Sequence, residues 1–289
     1  MKNLKLVGLA LVAMLLSVNF TSCKEDKDDD NETQKVDEIK NQKKLKQILL
    51  YSDGEFISKM DFTYAENGNL ASLKDSSAQN GKNVMSYDWA TNLISMKYKK
   101  YSLSSNLINT LKYDFSVYTD ENEPDTFSAS FSYNSSKKLV KYESESVIDN
   151  KTKSSVVDDY TWNNGQLTKV NQVVHFSEGV SSFERTYTYS GKTCKGYFPV
   201  LVESIFHDGL LTAHPELAGL RISQLPDQMF ITDKNAEGEL IEKLTFDYTL
   251  DEEGYVVKCI VNSESADMID PETSSPIVLY TESYSFVWE

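Results

Sequence analysis

The sequence predicts an all-β domain, a strongly curled antiparallel meander forming an open or half-closed barrel with a short helical insertion near residues 207–220. Three observations carry this expectation. Strands with period-2 alternation of aromatic residues recur along the chain, and alternation of that period places the aromatics of each strand on one face. These strands run into turns rich in Asn, Gly or acidic residues, where positive φ is needed for a tight hairpin. The return strand then begins with Leu or another apolar residue. Composition agrees, with 17 Tyr and 13 Phe against 12 Gly and 6 Pro.

The elements follow in order. Leu45 to Tyr51 and Phe56 to Met60 read as the first strands, and Phe62-Thr63-Tyr64 leads through residues 65–69 into Leu70-Ala71-Ser72-Leu73. Weaker copies stand at Tyr87-Asp88-Trp89 with Leu93-Ile94, and at Phe131-Ser132-Tyr133 with Leu139-Val140-Lys141-Tyr142. Leu111 to Tyr118 is a further strand between them. Tyr160-Thr161-Trp162 passes through Asn163-Asn164-Gly165-Gln166 into Leu167-Thr168-Lys169-Val170, and strands follow at Val170 to Phe176 and Phe183 to Tyr189. Phe246-Asp247-Tyr248-Thr249-Leu250 turns at Asp251-Glu252-Glu253-Gly254, and Tyr280 to Trp288 ends the series. The spacing is irregular, which disfavours a solenoid. More than about ten strands in one sheet must curl, split or close. Curling places Tyr64, Trp162, Tyr189, Phe246, Tyr248, Phe286 and Trp288 on the inner, packed face.

One stretch breaks the pattern. Lys195 to Asp233 holds Pro199, Pro215 and Pro226, and His207 to Leu220 reads as one or two short helices with a Pro-Glu start and glycine stops. This insertion is expected to cap the open end of the curled sheet.

Before the first strand the chain has a different character. Lys2 and Lys5 precede an apolar run from Leu6 to Leu16, too short to span a bilayer, and Phe20-Thr21-Ser22 stand directly before Cys23. This is the layout of a secretory signal of the lipoprotein type, residues 1–22, whose removal leaves Cys23 as an N-terminus carrying palmitate-type acyl chains. Residues 23–44 form an acidic and then basic tether, and residues 45–289 a single β-rich domain. The pattern resembles bacterial lipoproteins of the Gram-negative outer membrane, in a group of which lysine and acidic residues after the lipidated cysteine direct display at the cell surface. Lys24, Glu25 and Asp26 match that signal, whereas Phe20 stands where leucine is usual.

Charge narrows the partners. The chain carries 29 basic and 44 acidic residues, net −15, and loss of residues 1–22 removes two lysines and no acid. Nucleic acid, which demands a basic surface, is excluded as a partner.

The aromatic, Asn-Gly, Leu-x-Lys-Val unit resembles the tyrosine-aspartate repeats of large secreted bacterial shells as a local hairpin likeness. Tyr187-Thr188-Tyr189-Ser190-Gly191-Lys192, with Ala213-His214-Pro215-Glu216-Leu217-Ala218-Gly219-Leu220 and Gln224-Leu225-Pro226, resembles the lipoprotein family of domain of unknown function 4595. The resemblance covers Leu45 to the C-terminus and implies a secreted or surface β-rich domain, without catalytic residues to carry over.

The residues themselves hold little catalytic chemistry. His207 and His214 with Asp208 and Glu216 are of ligand type for zinc, but Gly209 and Pro215 interrupt any helix that would align them, and no His-Glu-x-x-His spacing occurs. The Asp26-x-Asp28-x-Asp30 run lacks the glycine and terminal glutamate of a calcium loop. No Gly-x-Ser-x-Gly elbow, phosphate loop or dinucleotide fingerprint is present. Neither a metal nor a cofactor is expected. The expectation is a surface binding module for a glycan or protein, with Trp89, Trp162, His207 and His214 as candidate ligand-binding residues. The alternative is an envelope-associated structural lipoprotein with protein partners, whose aromatics are core; hydrolysis is the weakest reading.

Overall fold

The computed structural model describes residues 42–77, 81–114, 126–148, 151–176, 179–235, 239–269 and 276–289. Cys23 and the Lys24, Glu25, Asp26 signal lie outside them. The chain forms one antiparallel sheet of 17 strands that wraps into a nearly closed barrel. Its first nine strands are β1 (Leu45–Ser52), β2 (Glu55–Tyr64), β3 (Leu70–Ser77), β4 (Gly81–Ser86), β5 (Asp88–Ala90), β6 (Leu93–Met96), β7 (Lys99–Ser104), β8 (Leu107–Asp114) and β9 (Thr126–Tyr133). Then come β10 (Leu139–Ile148), β11 (Lys151–Asn163), β12 (Gln166–Phe176), β13 (Gly179–Thr188), β14 (Gln228–Asp233), β15 (Glu239–Leu250), β16 (Val256–Ile269) and β17 (Pro276–Trp288).

Sequence neighbours pair in turn, and β1 pairs on its two edges with β2 and β17, which brings the first and last strands together. One seam stays unsealed. Only Tyr87 separates β4 from β5, yet β4 pairs with β3 while β5 pairs with β6, and no pairing joins the two. Leu45 opposite Trp288 marks the barrel's near end, where the tether would enter; the β1–β2 turn marks the far end. At the near end Asn164 and Gly165 turn β11 into β12 with φ of 48° and 78°, the double positive φ of a type I′ hairpin, as the Asn-Gly sequence requires.

The insertion lies between β13 and β14 and fills the barrel rather than covering it. A helix absent from the sequence expectation comes first, α1 (Pro199–Phe206), opened by Pro199 at its first turn and ended at His207 with φ 44°. Then come α2 (Gly209–Ala213) and a 3-10 turn, Pro215–Ala218, closed by Gly219 at φ 63°. α1 is apolar nearly all round, so no polar face marks its period, which is why it escapes a search for amphipathic patterning. Val200, Leu201, Val202, Ile205 and Phe206 are all buried.

The inner face changes character along each strand. On β17 the inward residues run Trp288, Phe286, Tyr284 and then Glu282, and on β3 Leu70 and Leu73 give way to Asp75. Near-end residues pack with the insertion into one core, where each fully buried Leu or Phe contributes about 1.5–3 kcal/mol. The outer face is polar. β9 presents Ser128, Ser130 and Ser132 outward, and cross-strand pairs lace neighbouring strands, Lys169–Glu184 at 2.6 Å and Lys243–Glu264 at 2.7 Å. No helix among the described residues is long and apolar enough to cross a membrane, which says nothing of a barrel.

Candidate functional site

A belt of hydrogen bonds holds the near end. Each hairpin unit recognised in the sequence ends in an aromatic residue whose O–H or N–H donates to the carbonyl opening an earlier up-running strand. Tyr64 donates to Leu45 at 2.9 Å, Trp89 to Leu70 at 2.8 Å, Tyr133 to Ile108 at 2.6 Å and Trp162 to Leu139 at 2.6 Å. Tyr189 donates to Leu167 at 2.7 Å, Tyr248 to Pro226, and Trp288 to Val256 at 2.7 Å. Leu45, Leu70, Ile108, Leu139, Leu167 and Val256 are each 0% exposed, because the aromatic rings lie over them. Trp89 and Trp162 therefore serve as half-buried belt members, their indole N–H groups engaged, and they stand in different units.

The histidines separate. His214 faces the near end, where its Nε2 accepts from the Leu70 amide at 3.2 Å, so its proton sits on Nδ1 and donates to Glu216 Oε1 at 2.9 Å. Its ring packs edge-on to Trp89 at 5.4 Å, so these two predicted residues do meet. His207 lies on the opposite side of the insertion with Nδ1 3.7 Å from Glu203 Oε1, and Trp162 joins neither. His175 is exposed on β12. Cys194 and Cys259 are free thiols, and burial pushes both up, Cys194 to about 12, which keeps them un-ionised. Among the described residues no group of three or more His, Cys, Asp or Glu could hold a metal ion.

Asp208 fastens the insertion to the wall. One carboxylate oxygen caps α2 by accepting from the Leu210 and Leu211 amides, at 3.0 and 3.2 Å. The other accepts from Lys99 at 2.8 Å and Tyr101 at 2.7 Å on β7. Burial disfavours the carboxylate, but the Lys99 ammonium and these hydrogen bonds outweigh it and hold Asp208 below the usual range.

Beneath the insertion the far half of the barrel is a polar chamber. His207 lies within the ring of strands, yet its side chain is 38% exposed, so water reaches the floor from the far end. Glu203 on α1 accepts from Thr212 at 2.6 Å, Glu282 on β17 from Tyr284 at 2.6 Å, and Glu242 on β15 from Tyr280 at 3.0 Å. On the facing wall Asp158 accepts from Gln172 at 3.0 Å, whose own oxygen accepts from Arg185 at 3.0 Å. Burial pushes Asp158 up to about 7 despite Arg185. Burial also raises Asp75, with Glu203 adding repulsion, and raises Glu282, with Glu242 and Asp53 adding to it against Tyr284 and His207. Among the described residues, two buried oxygens here have no hydrogen-bond partner, Asp75 Oδ1 and Tyr142 Oη. The Tyr142 ring packs 5.2 Å from Phe206, beside the floor.

Of these chamber residues the sequence reading singled out His207 alone. A signal existed: each chamber residue carried by a strand lies in phase with the inward aromatics or aliphatics of that strand, as Glu282 does between Tyr280 and Tyr284, and Asp158 beside Tyr160.

Two solved structures share this architecture. A porin-like protein from Bacteroides vulgatus superimposes with a TM-score of 0.59 at 14% identity, covering 85% of this chain and 98% of its own. A porin-like protein from Bacteroides uniformis gives 0.58 at 16% identity, covering 85% and 96%. At such identities the likeness is one of fold. No protein-family model matches the sequence, and no curated protein matches it.

Proposed function

We propose that this protein is a lipid-anchored, surface-displayed lipoprotein of the outer membrane whose barrel stands in water and binds a small polar ligand, a glycan or part of one, without transforming it. The observation that carries the reading is the asymmetry of the barrel's interior: the insertion fills its near half, whereas its far half is lined by polar and charged groups and is open to water at His207, whose side chain is 38% exposed. A pore would need a continuous lumen. A membrane-spanning barrel would need an outward apolar band about 25 Å tall, and the outward serines and cross-strand ion pairs here offer none. An anchor at Cys23 would join the barrel at its near end, the end opposite the polar half of the interior. The fold shared with porin-like proteins agrees with an envelope location, and the resemblance to the lipoprotein family of domain of unknown function 4595 agrees with surface display.

A second reading, docking of a protein partner, draws on exposed apolar side chains toward the far end. Phe56 is 41%, Val180 53% and Val278 54% exposed.

Three measurements test the proposal together. External protease should remove the domain from intact cells, and Cys23→Ala should shift it to the soluble fraction; a membrane-bound Cys23→Ala protein rejects the anchor. A screen against polysaccharides and secreted glycoproteins should yield a ligand whose binding Glu203→Gln weakens. Turnover of that ligand would instead make the protein an enzyme.

A further inference from the structure

The seam in the wall leaves one strand edge without a partner. β6 stops at Met96 and turns back into β7, whose Lys99 pairs with Met96, so no strand among the described residues continues β6 alongside β4. Carried further, the β5–β6 register that sets Asp88 against Ser95 would bring Ser86 opposite Lys97, where the chain turns away.

The β3–β4 ladder decides which backbone groups face this edge. Tyr87 donates its amide to the Ala71 carbonyl at 3.0 Å, and in an antiparallel pair such residues alternate with ones whose N–H and C=O point the other way. Along the regular β3–β4 register, Met85 and Asn83 therefore bond toward β3, whereas Val84 and Ser86 turn their donors and acceptors to the open edge. Val84 is 64% exposed, and a valine gives none of the protection that a charged side chain gives an edge strand.

The charge beside this edge is opposite to that of the chain. Lys97 stands in the β6–β7 turn, and Lys100 and Lys112 lie on the outer faces of β7 and β8, all three exposed. Lys100 is directly opposite Lys112 in the β7–β8 register, a like-charged pair that costs stability rather than adding it. Among the described residues none of the three has an ion-pair partner. Strands lie about 4.8 Å apart, so a strand added beside β4 would stand in line with β6, next to β7 and two places from β8, with its outward side chains within reach of these lysines.

We propose that the β4 edge receives an extended, acidic segment of a partner protein by strand addition, with apolar side chains alternating inward beside Met85 and carboxylates outward toward Lys97, Lys100 and Lys112. Main-chain bonds to Val84 and Ser86 supply affinity, and the alternation fixes which face each side chain takes. The site is the seam rather than the barrel interior, and it does not rest on the ligand reading above. Charge argues against a second copy, because pairing β4 to β4 would bring two sets of these lysines together. It also steers an acidic segment to this place, since the chain as a whole carries −15 and repels it elsewhere.

The probe is a fluorescein-labelled peptide of alternating Val and Glu, titrated into the purified full chain at pH 7 and followed by anisotropy. Two controls accompany it, alternating Val and Lys, and a peptide of the first composition with all its carboxylates in one block. The alternating Val-Glu peptide should bind at least tenfold more tightly than either, and added salt should weaken it. Hydrogen exchange at the Val84 and Ser86 amides should slow at least tenfold on binding, and at Met85, already bonded to β3, much less. Val84→Pro removes a donor on the open edge and none on the β3 side, so binding should be lost while circular dichroism and thermal midpoint stay close to the parent's. Lys97→Glu, Lys100→Glu and Lys112→Glu together should turn the preference toward the Val-Lys peptide; if Val84→Pro unfolds, this reversal and the amide exchange decide. Failure of the Val-Glu peptide to bind at 1 mM, equal binding of the Val-Glu and Val-Lys peptides, or full affinity in a folded Val84→Pro protein overturns the inference. A dimer that Val84→Pro breaks in sedimentation assigns the edge to a second copy, and lysine-dependent binding to anionic vesicles that Val84→Pro leaves intact assigns the lysines to a membrane; either result rejects the acidic segment.

Discussion

Trp162 donates its indole N–H to the carbonyl of Leu139 at 2.6 Å, a residue in a different hairpin unit, and the Lys138 ammonium sits over the same ring at 4.9 Å. The contact recurs around the near end with Tyr, Trp and one C-terminal Trp, so each unit is locked to another through backbone atoms. Trp162→Phe keeps most of the ring and leaves the Leu139 carbonyl without its donor. Urea unfolding should show a loss of about 1–3 kcal/mol. A change within about 0.3 kcal/mol would mean that the belt contributes nothing.

The Asp208–Lys99 pair is expected to be the most sensitive point of the insertion. Lys99 is 12% and Asp208 3% exposed, so removing one partner leaves a buried charge uncompensated. Asp208→Ala, which also removes the α2 cap, should cost about 3–5 kcal/mol. Combining it with Lys99→Met should cost less than the sum of the two, because the second change removes the orphaned charge. Strict additivity argues against coupling.

Two glycines with positive φ should respond differently. A Cβ at Gly219 would lie 2.4 Å from the Lys137 carbonyl oxygen and 2.9 Å from the Leu139 amide nitrogen, both backbone atoms that cannot swing away. At Gly165, φ is 78° and nothing lies within 4 Å. Gly165→Ala should therefore cost only the conformational strain, about 1–2 kcal/mol, and Gly219→Ala clearly more. Equal melting temperatures for the two variants contradict the close packing of the 3-10 turn against the β9–β10 hairpin.

Asp158 makes a pH-dependent contribution of definite sign. Its carboxyl titrates at 3.8 when unperturbed and at about 7 in the folded barrel, with burial as the main cause. The folded state thus holds a proton that the unfolded state has released. The contribution is complete below pH 4 and is lost as pH rises to about 7. Asp158→Asn has no proton to lose, and its oxygen can still accept from Gln172. Relative to the parent, the variant should gain on the order of 2–4 kcal/mol between pH 4 and pH 7, at about 1.4 kcal/mol per unit, and stay level above it. A gain running the other way, toward acid, rejects this assignment.

Much of the barrel is legible in the sequence because its units are local. Aromatic alternation and an Asn-Gly apex specify a hairpin from residues within reach of one another, and β11–β12 forms about the expected turn with Trp162 and Leu167 where the pattern places them. The insertion is half legible. Pro215 and Gly219 mark the 3-10 turn, whereas α1, apolar nearly all round apart from Glu203 and Ser204, lacks the contrast that periodicity requires.

The sequence by itself determined most of the strands, their facing and the hairpin turns, since period-2 alternation and turn chemistry act over a few residues; β4, β7 and β14, which lack the aromatic and turn signature, escaped it, and β14 lies within the stretch read as breaking the pattern. Only the tertiary structure decided what those aromatics do and where the chamber lies. Trp89 and Trp162 reach carbonyls 19 and 23 residues back, and Glu203 on α1 comes close enough to Asp75 on β3 to repel it. Such meetings depend on how the sheet closes and how deeply the insertion enters, and both follow from burial summed over the whole barrel rather than from any local pattern.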